Sequence, residues 1–282
     1  MSNEPCYKTY MDVPVFSISP NPTCMYLTAP LKEAVVRFRR AIARKQGLCC
    51  ILGGNGMGKS SLLRYLASGY ESDEKCSVSY FADTRKFKTP FEFLKMISAD
   101  FNIGPKRSQS QQMDAIEEFL GASHEAGKTT LIFIDEGQRL NLDTLELVRA
   151  LLNYETNTEK LVQILISGQL ELRDRLLERR YKAFRSRIVA PLVMQVMTAE
   201  ETAAMVEFRL DGWGVENPFA TEAIAKIHEL SGGVPRDILS LCQQAYDRAV
   251  DSGRQLVNPS DVEQAFGSLQ ITDPEPELAA AV

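Results

Sequence analysis

The sequence predicts an α/β protein, with a parallel five-stranded sheet flanked by helices and then a small all-helical domain. Three observations carry this. Short apolar runs suited to buried strands alternate with segments of helical apolar spacing up to about residue 195, the order that places crossover helices over a parallel sheet. One strand–helix junction holds the glycine-rich stretch Gly53-Gly54-Asn55-Gly56-Met57-Gly58-Lys59-Ser60. From Thr198 onward the strand-like runs stop, and helical patterns introduced by Ser/Thr-x-x-Glu capping signatures take over.

Bulk properties set the limits. A chain of 282 residues is long enough for a sizeable core and a smaller second domain. No apolar run approaches the roughly 20 residues needed to span a bilayer, and no charged-then-apolar start reads as a signal peptide. The expectation is a cytoplasmic protein with no membrane partner. Six cysteines (Cys6, Cys24, Cys49, Cys50, Cys76, Cys242) are scattered without a C-x-x-C pair, which indicates neither a zinc site nor a disulfide framework. A net charge of −5 argues against indiscriminate coating of nucleic acid while leaving room for a local basic channel.

Taken in order, residues 1–30 are rich in Pro and small polar residues, and Pro14, Pro20, Pro22 and Pro30 interrupt helix. They read as an extended arm whose apolar residues (Val15, Phe16, Ile18, Met25, Tyr26, Leu27) either cover a nucleotide base or pack on the core. Residues 31–195 form the nucleotide-binding core, 196–270 a helical lid and 271–282 an acidic, Pro-rich flexible tail. Residues 31–46 have helical spacing with a basic face of Arg37, Arg40, Arg44 and Lys45.

The apolar run at 48–52 is the first strand, and the helix that follows begins at the glycine-rich stretch. That stretch satisfies G-x-x-x-x-G-K-[ST] at every specified position. Successive backbone N–H groups wrap an anion only where side chains do not intrude, hence the glycines. Gly53, Gly54, Asn55, Gly56, Met57, Gly58, Lys59, Ser60 and Ser61 are therefore the candidate phosphate cradle. Lys59 adds a point charge, Ser60 a hydroxyl for Mg²⁺, and the helix N-terminus its partial positive charge.

A second strand at 76–81 leads into the basic loop 82–89, and Pro90 stands in the first turn of a helix running to residue 100. A polar loop then leads to a helix through Met113, Ile116, Phe119 and Leu120. Residues 130–134 form the most apolar strand and end in Asp135-Glu136. Ligands of a parallel sheet sit beyond the carboxyl ends of its strands, so this acidic pair arrives beside the phosphate loop. Asp135 is expected to hold Mg²⁺, and Glu136 to polarise the attacking water.

A helix at 145–154 and a buried strand at 161–166 follow, the strand presenting Ser167-Gly168-Gln169 at its end. Residues 171–187 carry six arginines, expected to be solvated or paired with Glu171, Asp174 and Glu178. Residues 188–193 are a fifth strand, which Pro191 assigns to an edge or to its own end. In the lid, Thr198…Glu201 and Ser260…Glu263 fit capping boxes. Between them, helices at 221–230 and 236–251 flank the turn Ser231-Gly232-Gly233-Val234-Pro235.

These features together resemble the AAA+ ATPases. Phe16-Ser17-Ile18-Ser19-Pro20-Asn21-Pro22, Asp135-Glu136-Gly137-Gln138, the stretch from Leu161 to Leu172 and Leu230-Ser231-Gly232-Gly233-Val234-Pro235-Arg236-Asp237-Ile238 resemble the branch containing the secretion ATPase ExeA and the transposition regulators MuB and TnsC. Gly137 departs from it, since many members have Ala there, and the change is expected to leave the carboxylates undisturbed.

The resemblance implies ATP and Mg²⁺ held between neighbouring copies in a ring or helical filament. It assigns Gln169 or Ser167 to the sensor-1 position, Arg236 to sensor 2, and Arg185 or Arg187 to an arginine finger reaching the adjacent subunit. It also implies a transposition target regulator that assembles with ATP on double-stranded DNA and recruits or activates a transposase. Arg85, Lys86, Lys88 and Thr89 are the candidate DNA contacts. The alternatives are an ExeA-like secretion or envelope-assembly ATPase and a switch acting on a protein client without DNA. ExeA-type proteins continue into a membrane span and a peptidoglycan-binding domain, so a chain ending after the lid weighs toward DNA.

Overall fold

The computed structural model describes residues 15–269, without the side chain of Lys86. The first 14 residues of the expected arm and the expected tail at 271–282 lie outside the described residues. The chain divides into two compact units, one spanning Ser19–Gln195 and the other Val196 onward together with the residues up to Ile18.

The larger unit runs α1 (Ala29–Ala43), β1 (Leu48–Leu52), α2 (Lys59–Glu71), β2 (Cys76–Phe81), α3 (Pro90–Asp100), α4 (Gln109–Glu125), β3 (Thr129–Ile134), α5 (Leu142–Leu151), β4 (Val162–Gly168), α6 (Leu170–Leu177), the short α7 (Lys182–Arg185) and β5 (Ile188–Val193). The five strands form one parallel sheet in the order β2-β3-β4-β1-β5, the expected fold class. β1 and β4 are buried at every position, because a central strand of such a sheet has both faces covered by helices. β5 is the edge strand its proline implied: it alternates buried and exposed residues, and an edge strand tolerates the N–H that Pro191 lacks. Phe93, Ile97, Leu120, Ile132, Val148 and Ile164 are among the side chains that fill the core.

Four sequence expectations shift. The arm is not extended throughout its described part. Pro22–Cys24 is a 3₁₀ turn and α1 starts at Ala29, with Pro30 inside its first turn, where a missing N–H costs nothing and a fixed φ helps. α1 also ends early, because Lys45 (φ 48°) and Gly47 (φ 102°) turn the chain left-handed. Ser167 and Gly168 belong to β4 rather than to the loop beyond it, in register with Ile51 and Leu52 of β1. Finally, α5 starts at Leu142, since the Asn141 side chain accepts from the Thr144 N–H (2.8 Å) and caps it.

The smaller unit contains α8 (Ala199–Asp211), α9 (Thr221–Ser231), α10 (Pro235–Asp251) and α11 (Pro259–Leu269). Thr198 and Glu201 form the expected capping box. The box at Ser260 does not form. α11 begins one residue earlier, and the Asp261 carboxylate accepts from the Asn258 N–H (2.9 Å) to close its first turn. Val15 and Phe16 are buried in this unit, Phe16 edge-on to Phe219 at 5.7 Å. These two apolar arm residues therefore take the packing alternative. Gly233 (φ 73°) is obligatory: a Cβ there would lie 2.3 Å from the Met197 carbonyl oxygen, and the Met197 N–H donates to Gly233 O (2.9 Å).

Candidate active site

The phosphate loop leaves the carboxyl end of β1. Its first residue is still tied to the sheet, the Gly53 N–H donating to Gly168 O at 3.2 Å. Gly56 (φ 72°) and Gly58 (φ 86°) hold the left-handed conformations that let consecutive N–H groups turn inward, and Gly58 is the N-cap of α2. A Cβ on Gly53 would meet Met194 Cβ at 3.1 Å, so the residue just past β5 presses on the loop from behind. Lys59 is only 6 % exposed, and its Nζ donates to Gly54 O at 2.7 Å, which keeps the ammonium over the loop. Such a cradle suits a chain of phosphates.

The acidic pair directly follows β3, one strand beyond β4. β1 and β3 are both neighbours of β4, which separates them by about 10 Å, two strand spacings. Asp135 is 4 % exposed, and its Oδ1 accepts from the Glu136 N–H (2.9 Å) and from the Ser167 hydroxyl. With Ser60 at the head of α2, this offers one carboxylate and one hydroxyl, the sparse oxygen set that Mg²⁺ takes when phosphates and water complete its shell. Glu136 occupies the left-handed region (φ 55°, ψ 37°), an uncommon conformation for a residue with a side chain. Its carbonyl accepts from the Thr84 hydroxyl (3.3 Å), and its Oε2 meets Gln138 Nε2 (2.7 Å) and Arg139 Nε (3.4 Å). Tyr80, on β2, keeps a neutral phenol: burial pushes its pKa up, the Asp135 carboxylate adds to this, and Arg64 opposes it.

Gly137 permits a close approach to β4. A Cβ there would lie 2.7 Å from both Cγ1 and Cδ1 of Ile166 and 3.0 Å from Ser167 O. The 3₁₀ turn Gly137–Arg139 lies flat on β4 because the glycine has no side chain.

Of the two sensor-1 candidates, Ser167 is buried against Asp135, whereas Gln169 is the N-cap of α6, its own N–H donating to Gln138 Oε1 (3.1 Å). Arg236 stands exposed in the first turn of α10, in the smaller unit. Arg185 donates to Leu176 O (2.5 Å) and Arg187 to Asn153 Oδ1 (3.2 Å). Both precede β5 and so lie at the amino edge of the sheet, about 20 Å of strand away from their own phosphate loop.

In the basic loop, Arg85 grips Asp83 through Nε and Nη2 (2.9 and 3.0 Å), and this holds the Asp83 pKa down at about 2. Thr89 caps α3 in a box with Glu92, and Lys88 is exposed. The Lys86 side chain lies outside the described residues. Arg85, Lys88, Arg139 and Asn141 line one cavity of about 400 Å³.

Sequence reasoning missed Gln138, Thr84 and Arg175. Arg175 was one of six arginines, and nothing in the pattern distinguished it. It alone donates to three oxygens on other segments, Gln138 O (2.7 Å), Leu140 O (2.8 Å) and Tyr181 Oη (3.0 Å). Arg173 and Arg180 make the expected surface pairs with Asp174 and Glu178.

A glycine cradle at the carboxyl edge of a parallel sheet, with an acidic pair two strands away across β4, defines the P-loop nucleotide-binding proteins. A family model described as an AAA domain matches residues 21–176, more than half the chain, and the protein belongs to that family of nucleotide-hydrolysing ATPases. It is 29% identical over 255 residues to the general secretion pathway protein A of Aeromonas hydrophila, covering 89% of this chain and 46% of that one, so it spans less than half the relative's length. Among solved structures, ORC2 of Aeropyrum pernix in ADPNP–ADP complexes aligns with a TM-score of 0.68 at 15% identity, covering 90% of this chain and 71% of that one. Drosophila ORC bound to DNA aligns with a TM-score of 0.67 at 17% identity, covering 95% and 67%. At such identities the likeness is one of fold. Among the described residues no helix is long and apolar enough to cross a membrane.

Proposed function

We propose that the chain is a Mg²⁺-dependent ATPase whose active site is completed by a neighbouring copy, and that ATP-driven assembly is its output. One observation carries this reading: the candidate finger arginines lie at the opposite sheet edge from their own phosphate loop, so only another subunit's nucleotide is within their reach. In the reaction, a water oxygen attacks the γ-phosphorus, the bond to the β–γ bridging oxygen breaks, and the water's proton passes to Glu136. The loop N–H groups and Lys59 hold the phosphates, Gln169 or Ser167 contacts the γ-phosphate or the water, and Arg236 reports occupancy to the lid. Arg185 or Arg187 of the adjacent copy meets the charge that develops on the γ-phosphoryl group. Ser60 and Asp135 would hold Mg²⁺, which would supply positive charge to offset that of the phosphates. Glu136→Gln should retain ATP binding, nearly abolish turnover and prolong the assembled ring or filament in electron micrographs; normal hydrolysis by this variant removes Glu136 from the role.

The assembly is further proposed to lie on double-stranded DNA as a transposition target regulator that recruits a transposase. Its support is the TnsC/MuB-like sequence pattern, together with a fold shared with an ORC that binds DNA. Arg85, Lys86, Lys88 and Thr89 are the proposed contacts; because Arg85 is tied to Asp83 and Thr89 caps a helix, the lysines carry most of the attraction. Reversing Lys86 and Lys88 to Glu should remove ATP-dependent duplex binding while leaving nucleotide binding intact, and unchanged DNA affinity refutes the assignment. A secretion-type ATPase is the second reading, favoured by the general secretion pathway relative.

A further inference from the structure

We propose that Gln138 is a positioning residue for the water-activating carboxylate, holding Glu136 with one end of its side-chain amide and the start of α6 with the other. This rests on the reading of Glu136 as the base. The polarity of the amide is set by its partners: the Gln169 N–H is a donor, so Oε1 faces it (3.1 Å), and Nε2 is left to donate to Glu136 Oε2 (2.7 Å). Reversing the amide would set donor against donor at the Gln169 N–H and acceptor against acceptor at Glu136 Oε2. The backbone of the same residue is pinned as well, since Gln138 O accepts from Arg175 Nη1 (2.7 Å) and the preceding Gly137 lies against Ile166. With main chain and amide both held, the tip of Gln138 has one position, and so has the carboxylate oxygen it grips.

The choice of donor also suits a base. A neutral amide orients a carboxylate and leaves its negative charge free to take a proton, whereas a close guanidinium would compete for that charge. Arg139, at 3.4 Å, is the more distant of the two donors to Oε2. The other end of the tie matters too. Gln169 heads α6, whose Arg175 binds Tyr181 Oη and whose Leu176 carbonyl accepts from Arg185. A continuous set of hydrogen bonds therefore runs from Glu136 through Gln138 and α6 to the segment bearing the candidate finger. A shift of that segment on docking is relayed toward the carboxylate through the Gln138 amide and through the Arg175 bond to Gln138 O.

Gln138→Glu separates the two ends, because the introduced carboxyl still accepts from the Gln169 N–H but cannot donate to Glu136 when ionised. With wild type hydrolysing and melting temperatures matched, kcat should fall about tenfold or more while KM for ATP changes less than about twofold, through loss of one charge-assisted hydrogen bond and repulsion between two carboxylates; the uncharged Gln138→Met, which loses the bond without the repulsion, should also lower kcat. Turnover should partly recover as pH falls, when the introduced carboxyl is protonated and donates as the amide did. Wild-type kcat in either variant, or a change confined to KM, overturns the proposal, because the bond to Glu136 persists in neither. If wild type and Glu136→Gln turn out to hydrolyse alike, it is the assignment of the base that fails. The contact itself is then judged in protein labelled with ¹⁵N-glutamine. The Gln138 NH₂ signals, identified by their loss in Gln138→Glu, should move on Glu136→Ala, and signals that stay in place refute the tie.

Discussion

Gly137→Ala tests whether the turn behind the acidic pair is held by close packing on β4. The added methyl would start 2.7 Å from two atoms of Ile166 and 3.0 Å from a backbone oxygen, in a core where Ile166 is fully buried. Overpacking of this kind costs about 1–3 kcal/mol, and the turn, having solvent on one side, is the partner that gives way. Lifting it by a few tenths of an ångström lengthens the bond from Gln138 to Glu136, so turnover should drop along with stability. Ile166→Ala removes both clashing atoms. Alone it should cost about 2–5 kcal/mol through the cavity it leaves. In the double variant the new methyl fills part of that cavity, so the two losses should fall short of additive by about 1–3 kcal/mol. Urea unfolding followed by far-UV circular dichroism measures this; the sole tryptophan, Trp213, lies in the smaller unit and would report elsewhere. An undestabilised Gly137→Ala, or strictly additive losses, would refute the packing argument.

Two further predictions concern titration and reactivity. The Arg254 guanidinium, through Nη1 to Asp261 Oδ2 at 2.7 Å, holds the Asp261 carboxyl below the usual range against its own burial. A depressed folded pKa means that this contribution is complete above about pH 4, the unfolded value, and is lost as pH falls through the folded one. Arg254→Ala should therefore lower the melting temperature at neutral pH, by less than the loss of a fully buried pair because Arg254 is 39% exposed, and the difference from wild type should shrink in acid. Thermal melts at pH 7 and pH 3 read this, and an equal difference at both refutes it. Burial pushes the Cys49 and Cys50 thiols up to about 12 and raises that of Cys242 as well, so native protein should be alkylated before these three at the half-buried Cys24 and, more slowly because burial and Asp73 raise its thiol too, at Cys76. Peptide mass spectrometry after timed iodoacetamide treatment gives the order, and early labelling of Cys49 or Cys50 counts against the sheet centre as described.

What the sequence determined by itself was whatever short-range chemistry dictates. Apolar runs of strand length mark β1, β3 and β4 because central strands are apolar on both faces, and Pro191 pointed to an edge or a strand end for β5, one of the two edges, because a missing N–H is tolerated there. Gly53 to Ser60 is legible as a phosphate cradle because the left-handed turns at Gly56 and Gly58 need glycine locally. Strand ends and helix starts were less legible where a side chain several residues away decided them, as Asn141 does for α5 and Asp261 for α11.

Only the tertiary structure decided which residues meet. β4 inserts between β1 and β3, a long-range pairing that sets Ser167 against Asp135 and leaves no room for a methyl on Gly137. Arg175 looks like its five neighbours in sequence, yet it alone reaches carbonyls 35 and 37 residues away. The amide of Gln138 finds Glu136 two residues away in its own turn, but it acquires its other partner, the Gln169 N–H, only when β4 pairs beside β3. Local pattern encodes the cradle because its geometry is a property of consecutive residues, whereas the tie from Gln138 to the start of α6 is a property of distances between elements.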